Sequence, residues 1–240
     1  MPILRDWKIS LSIDQVLRAQ GVTPQAMERF ARQRDVAAQA LALGLALVEP
    51  AVAYRQFKVK AVHHERLVLS DGTGLTDEKP ALLGKGIVRL LAPARQVVIL
   101  ACTIGGALEN LAAAMLPANQ ALGLALDALG SAAVQALIEQ ACAYFGEQAA
   151  GRDWQATVPF SPGMPDWPVD HGQEQIFALL NGAEPLSDLA GIRLMLSGRM
   201  APQKSISAAI GLGPEVDGSG RVCDYCSIRQ TCRHQDQYIK

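Results

Sequence analysis

Residues Val97-Val98-Ile99-Leu100 form an apolar run with no polar residue to mark a wet side. A half-exposed strand alternates apolar and polar residues, so the unbroken run predicts a strand, Gln96 to Ala101, covered on both faces. Such a strand needs two cores, and 50% of the 240 residues are hydrophobic. A chain of this length can bury about 70% of its unfolded surface, enough to hold without disulfide staples, as one large domain or two small ones.

The flanking sequence supplies helices and further strands. Ser12 to Gln20, ended by Gly21, predicts a short helix, and Thr23 with Pro24 opens a long one that runs to about Val48, where Glu49-Pro50 stops it. Val52 to Val62 and Arg66 to Leu69 read as a hairpin turning at His63-His64-Glu65, with Ser70-Asp71-Gly72-Thr73-Gly74 as the next turn. After Thr103-Ile104-Gly105-Gly106 come two helices, Ala107 to Met115 and Ala121 to Ala149. A strand from Gln155 to Val158, a helix from Gln173 to Leu180 and strands at Ile192 to Leu196 and Ser205 to Ile210 complete the pattern. The fold class expected is a single α+β domain with a mixed, curved antiparallel sheet and long helices, spanning residues 1–217, and a cysteine-bearing tail over 218–240.

Charge excludes some partners. Lys and Arg number 22 against 23 Asp and Glu, with no basic run, so nothing favours nucleic acid. Ala37 to Val48 is shorter than the ~20 residues a bilayer requires, so no membrane is expected. The opening Met-Pro-Ile-Leu-Arg-Asp-Trp-Lys lacks the cationic-then-apolar order of a secretory signal, which predicts a cytoplasmic location.

The five cysteines divide unevenly. Cys102 and Cys142 lie in apolar surroundings, whereas Cys223, Cys226 and Cys232 crowd into a polar tail. An odd count argues for buried thiols plus a metal or redox cluster. Cys223-x2-Cys226 brings two thiolates to one centre, Cys232 can return as a third ligand, and Arg229 and Arg233 favour the thiolate forms. Three cysteines leave the fourth position to Cys102, Cys142, His234, a partner's cysteine or nothing. An iron–sulfur cluster, of the 4Fe-4S type, is favoured over zinc, because zinc tails usually carry a second Cys or His pair. The bland alternative is a set of reduced surface thiols.

Two connections have unusual composition. In Phe160-Ser161-Pro162-Gly163-Met164-Pro165-Asp166-Trp167-Pro168, prolines and glycines make a stiff, non-helical loop that can approach a flat ligand. Its plain reading is a rigid link with Trp167 as packing anchor. Ser197 to Ser207 combines Gly198, Pro202, Arg199 and Lys204 with hydroxyls, and alone would pass for a hairpin loop. His63-His64-Glu65 is expected to be solvated, and Asp127 and Glu139, twelve residues apart, stand about 120° apart around a helix and form no acid/base pair. No nucleophile elbow, phosphate-binding loop or dinucleotide fingerprint occurs.

Taken in order, Thr103 to Glu109, Leu126 to Val134, Ser161 to Pro168, Met200 to Ser207 and the Cys-x2-Cys-x5-Cys tail resemble the activation domain of cobalamin-dependent methionine synthase, in its short free-standing form. The resemblance covers Val97 to the C-terminus. It implies a curved α+β domain that binds S-adenosylmethionine (AdoMet) and docks on a corrinoid-bearing domain, where AdoMet remethylates cobalamin after a one-electron reduction. By that likeness Ser161, Pro162, Gly163, Met164, Asp166, Trp167, Glu139, Lys204 and Ser205 become cofactor-binding candidates, and Cys223, Cys226 and Cys232 the metal ligands. The family's Arg-Pro-x-Pro-Gly-Tyr pattern reads Pro159-Phe160-Ser161-Pro162-Gly163-Met164 here. Loss of the guanidinium removes a charged hydrogen bond to the ligand carboxylate, about 1.5–3 kcal/mol, so AdoMet binding is expected to be absent or no tighter than the high micromolar range. Lys204 replaces the cation only if the two loops converge. The tail suggests that electrons arrive from a donor protein through the cluster to a corrinoid carried by the partner.

Overall fold

The computed structural model describes residues 2–23, 31–72, 80–182, 190–226 and 229–231. In chain order the elements are β1 (Ile3–Leu4), α1 (Ile13–Ala19), α2 (Ala31–Gly44) with a 3-10 turn at Leu45–Leu47, β2 (Ala51–Val62), β3 (Arg66–Ser70), β4 (Ala81–Leu83) and α3 (Lys85–Leu91). Then follow β5 (Gln96–Thr103), α4 (Ala107–Met115), α5 (Gln120–Ala150), β6 (Gln155–Ala156), α6 (Val169–Asn181), β7 (Arg193–Leu194), β8 (Met200–Ala201) and β9 (Ser205–Gly213), and 3-10 turns at Val222–Tyr225 and Arg229–Thr231.

The main sheet runs β4-β3-β2-β5-β9-β6, with β1 beside the first half of β2, and every pairing among these strands is antiparallel. It curls as a half-barrel, and β2 carries a register shift between Val59 and Ala61. Such bulges bend a strand and raise its twist.

Alternation along the central strands sorts the interior into two cores. Val98, Leu100 and Cys102 of β5 and Ala208, Ile210 and Leu212 of β9 face α1, α2, α4 and α5. Val97, Ile99, Ala101 and Ala209 face the opposite way, toward α3, α6, Phe160 and Trp167. The unbroken apolar run is thus a strand covered on both sides. Close packing lets α5 lie flat: a Cβ at Gly44 of α2 would reach within 2.7 Å of Leu108 and Leu129. Although α5 is 31 residues long and apolar enough by composition to cross a membrane, 61% of its apolar window is buried inside the fold. Its hydropathy is that of a core helix.

Some boundaries differ from expectation. The strand expected at Gln155 to Val158 pairs over two residues only, because Pro159 and Pro162 follow at once. The strand expected at Ile192 to Leu196 is a two-residue arm, β7, that pairs with β8 in a separate hairpin. There Gly198, at φ 75, makes the turn and Met195 donates to the Arg199 carbonyl at 2.8 Å. Helix α6 starts at Val169, before the expected Gln173, because Pro168 supplies its N-terminal backbone angle and Gly172 is tolerated inside. Sequence patterns missed β1, β4 and α3. The start of the long helix at 24–30, Thr73-Gly74 of the turn, Ser227, Ile228, Cys232, Arg233 and His234 lie outside the described residues.

The larger core is keyed by Phe145, fully buried and packed edge-on against Tyr54 at 4.9 Å and Tyr144 at 5.1 Å. Phe145→Ala should lower the denaturant midpoint by the equivalent of about 3–5 kcal/mol at unchanged m-value, measured by urea unfolding.

Candidate functional site

The motifs gather on two sides of the sheet. On the α5 side, Lys204 extends along Gly130, whose missing Cβ leaves room for its stem, and its ammonium meets Asp127 at 2.8 Å and Ser131 at 3.0 Å. The bond is short, but Asp127 is open to solvent, so its worth is below about 1 kcal/mol. Behind it, Ser205 and Thr103 share a buried bond at 3.0 Å, Ser205 lies 2.8 Å from the Pro202 carbonyl, and Gly105 N–H donates to Thr103. A carbonyl only accepts, so the Ser205 proton goes to Pro202 and Thr103 supplies the shared one. Glu109 accepts from the Gln203 backbone at 2.8 Å. Three of the five motifs therefore lock one end of the sheet, and Ser205 acts there as a buried structural hydroxyl.

The Pro/Gly loop lies on the other side. Phe160 exchanges both backbone hydrogen bonds with Ala209 at 2.9 Å, which ties the loop's start to the odd-numbered face of β9. On the same face Ser207 donates to Gln173 of α6 at 2.8 Å in a buried pair. Gly163, at φ 97, and Asp166, at φ 60, turn the loop back, and Gly163 donates to the Trp167 carbonyl at 2.8 Å. The Met164 sulfur accepts from Ser161 N–H at 3.3 Å. Gly163 and Asp166 are exposed, and Ser161, Pro162 and Met164 half-exposed.

Trp167, a packing anchor in the plain reading and a cofactor-binding candidate by the resemblance, is buried beneath the loop. It is 1% exposed and stacks on Phe160 at 5.9 Å and 25°. Its indole edge is so closely covered that a Cβ at Gly84 would sit 3.0 Å from Cδ1, and one at Gly172 3.1 Å from Cε2. Among the described residues its Nε1 has no hydrogen-bond partner, a cost of about 1–3 kcal/mol that shape complementarity must offset. Trp167 is the loop's foundation, and Ser161 to Asp166 are its face.

Lys204 and the loop do not converge. Lys204 precedes Ile206 and Ala208 on the α5-facing side, while Ser207 and Ala209 carry the loop side, so the sheet stands between the ammonium and the loop. The lost guanidinium is not replaced from there. Glu139 is exposed on α5 and accepts from Gln135 at 2.9 Å; it too lies on the far helical layer.

The tail packs on the loop side. Tyr225 sets its ring edge-on to Phe160 at 6.5 Å, and Gly220 lies beside that ring. Cys223 lies within the 3-10 turn Val222–Tyr225 and Cys226 caps it in extended backbone, where Cys226 N–H donates to Cys223 C=O at 3.3 Å. Cys223 is 6% exposed and Cys226 half-exposed. Asp224 braces the turn: it accepts from Arg221 N–H at 3.0 Å and pairs with Arg229 at 3.0 Å. That backbone bond and the two guanidinium groups hold its carboxyl below the usual carboxylate range. By donor chemistry, a Cys-x2-Cys spacing suits a soft metal or an iron–sulfur centre. Among the described residues no group of three or more His, Cys, Asp or Glu is arranged for a metal, and the third expected ligand, Cys232, lies outside them. Cys102 and Cys142 are removed as fourth ligands. Both sit on the α5 side, where burial pushes the Cys142 thiol up to about 12 and Cys102 well above its ordinary value.

With this geometry, comparison with known proteins identifies the fold. No family model and no curated protein matches the sequence. A crystal structure of the MetH reactivation domain bound to AdoHcy does match, with a TM-score of 0.65 and 16% sequence identity, over 94% of this chain and 83% of that chain. This chain has the reactivation-domain fold. Within that fold, the contacts that sequence reasoning missed are Tyr225 on Phe160 and the glycines under the loop; Gly84-Lys85-Gly86 was their visible trace.

A Cβ at Gly86 would collide with the Pro165 carbonyl, and neither backbone can yield without moving the loop. Gly86→Ala should therefore destabilise by about 1–3 kcal/mol, about 2–4 °C in Tm per kcal/mol. Gly146→Ala, where nothing lies within 4 Å, should instead stabilise α5 by about 0.5–1 kcal/mol. Calorimetric scans of the two variants check the contrast.

Proposed function

We propose that this chain is a cytoplasmic accessory factor for the reductive reactivation of a corrinoid protein, methionine synthase or another corrinoid methyltransferase. One observation carries the reading: a chain with the reactivation-domain fold has its Cys-x2-Cys turn packed against the Pro/Gly loop. The division of labour proposed is a domain over 1–217 that docks on the partner and a tail over 218–240 that delivers the electron.

Ser161 to Asp166 form the docking face. Two positive-φ residues and the buried Trp167 fix its shape before any partner arrives, so little ordering entropy is lost on association. Cys223, Cys226 and Cys232 are the proposed ligands, and Arg221 and Arg229, with Asp224 between them, lower the cost of holding anionic thiolates. An iron–sulfur cluster there would pass single electrons within a range of about −700 to +450 mV, which includes low-potential cobalt chemistry. The electron donor is a separate low-potential redox protein.

The MetH domain's complex with AdoHcy makes AdoMet and AdoHcy the first small ligands to examine. With Pro159 in place of a guanidinium and Lys204 engaged by Asp127, the loop lacks a cation from those two sources for the ligand carboxylate. Weak binding at Ser161 to Met164 follows.

Two experiments decide. Anaerobic protein should show a broad visible absorption that dithionite bleaches, contain iron and sulfide, and accelerate recovery of a corrinoid methyltransferase trapped as Co(II). Cys223→Ser and Cys226→Ser should lose colour and acceleration together, while Cys102→Ala and Cys142→Ala keep both. A colourless zinc-containing protein that still binds the corrinoid partner would replace the relay with a structural knob; no effect on recovery and no binding would sink the assignment. In titration calorimetry, AdoHcy and AdoMet should bind no tighter than the high micromolar range, about −5 to −6 kcal/mol. Low-micromolar affinity would instead mark a carboxylate partner outside Pro159 and Lys204.

A further inference from the structure

The aromatic contacts on the loop side form a continuous ladder. Tyr225, inside the cysteine turn, meets Phe160 edge-on at 6.5 Å; Phe160 stacks on Trp167 at 5.9 Å; Trp167 is wedged under the loop by Gly84 and Gly172. Phe160 is 2% exposed and Trp167 1%, so neither ring can shift without displacing its neighbour. The upper end has more freedom. Tyr225 is only partly buried, and Cys226 follows it directly. Gly220 fits this arrangement, since a Cβ there would stand 3.1 Å from the Tyr225 ring and hydroxyl.

The turn is closed by Asp224 N–H to Arg221 C=O at 2.9 Å. Cys226 N–H to Cys223 C=O and Arg229 N–H to Cys226 C=O, both at 3.3 Å, are long, and the bracing through Asp224 is solvent-exposed. Tyr225 is the side chain that seats this turn on the loop-side core. Conversely, fixing both thiols on one ion fixes the turn, and with it the position of Tyr225 on Phe160.

We propose that Tyr225 is a positioning residue that couples occupancy of the Cys223–Cys226 turn to the shape of the Phe160–Pro168 loop. The inference rests on the reading of those cysteines as metal ligands and adds a property that reading does not contain. Coupling between two sites is reciprocal. An ion in the turn therefore firms the loop, and a partner seated on the loop raises the affinity of the turn for its ion by the same factor. A loaded tail would thus dock better than an empty one, so that the chain engages its partner when it has an electron carrier to offer.

Zinc is the probe, because it binds thiolates without absorbing visible light and leaves Trp emission free of energy transfer. The full-length chain carrying Trp7→Phe and Trp154→Phe reports from Trp167 alone. Anaerobic zinc titration should shift Trp167 emission in step with binding and slow amide exchange at Gly163, Met164 and Trp167. Tyr225→Ala, confirmed as folded by circular dichroism, should still bind zinc about two- to tenfold more weakly, the range of one aromatic pair, and lose both loop responses. Tyr225→Phe should restore them, since the hydroxyl plays no part. Zinc binding with no change at the loop, or full loop responses in Tyr225→Ala, overturns the coupling alone. Failure of the parent to bind zinc overturns the coupling together with the assignment of the cysteines.

Discussion

The pairing of β5 with β9 is the constraint on which the other arrangements depend. Each strand is buried on both sides, so neither has a neutral direction in which to slip. Moving β9 by one residue would turn Ser205 and Ser207 toward the α5 core and swing Ile206, Ala208 and Ile210 away from it. Each large aliphatic side chain moved out of its pocket would forfeit about 1.5–3 kcal/mol. Register is therefore fixed by both cores at once, and everything attached to β9 inherits it. Odd positions receive Gln173 and Phe160; even positions and Lys204 go to α5.

That inheritance explains why the loop can be stiff without much hydrogen bonding of its own. Its first residue is an extra bridge on β9, its last aromatic is buried below it, and glycines at 84, 86 and 172 allow the neighbouring helices to press against the indole and Pro165. Among the described residues the buried Trp167 N–H has no partner, which that fit must offset. A polar partner placed there would have required space beside the ring, and space is what Gly84 and Gly172 eliminate. The loop's shape is thus dictated from beneath, while its upper face keeps Gly163, Met164 and Asp166 accessible.

Much of this was legible in the sequence wherever a local signal agreed with the tertiary environment. Ser12 caps α1 through a reciprocal bond with Gln15, β2 and β3 turn at His63 to Glu65, and α4 and α5 fall within a residue of their expected ends. The failures are short elements whose existence depends on partners. β1 and β4 are two and three residues long and are strands only because an edge is there to receive them. Helix α3 begins at Gly84-Lys85-Gly86, which by propensity argues against a helix; its glycines answer to Trp167 and Pro165 instead. For the site, the cysteine spacing and the Pro/Gly composition were visible, because both are local. Which side of the sheet each occupies was not, and that decides the separation of Lys204 from the loop and of Cys102 and Cys142 from the tail.

The same division bears on how charge is used. In the pattern this chain resembles, a guanidinium stands at the loop to receive a ligand carboxylate; here Pro159 takes that position, and Lys204 is tied to Asp127 across the sheet. At the cysteine turn, Arg221 and Arg229 flank Asp224. A thiolate metal site there, as proposed, would be anionic, and two guanidinium groups bridged by one carboxylate would leave a net positive charge beside it. Because Asp224 holds both, a negative occupant draws on cations already fixed in position and need not order them, which is the costlier part of building an exposed ion pair.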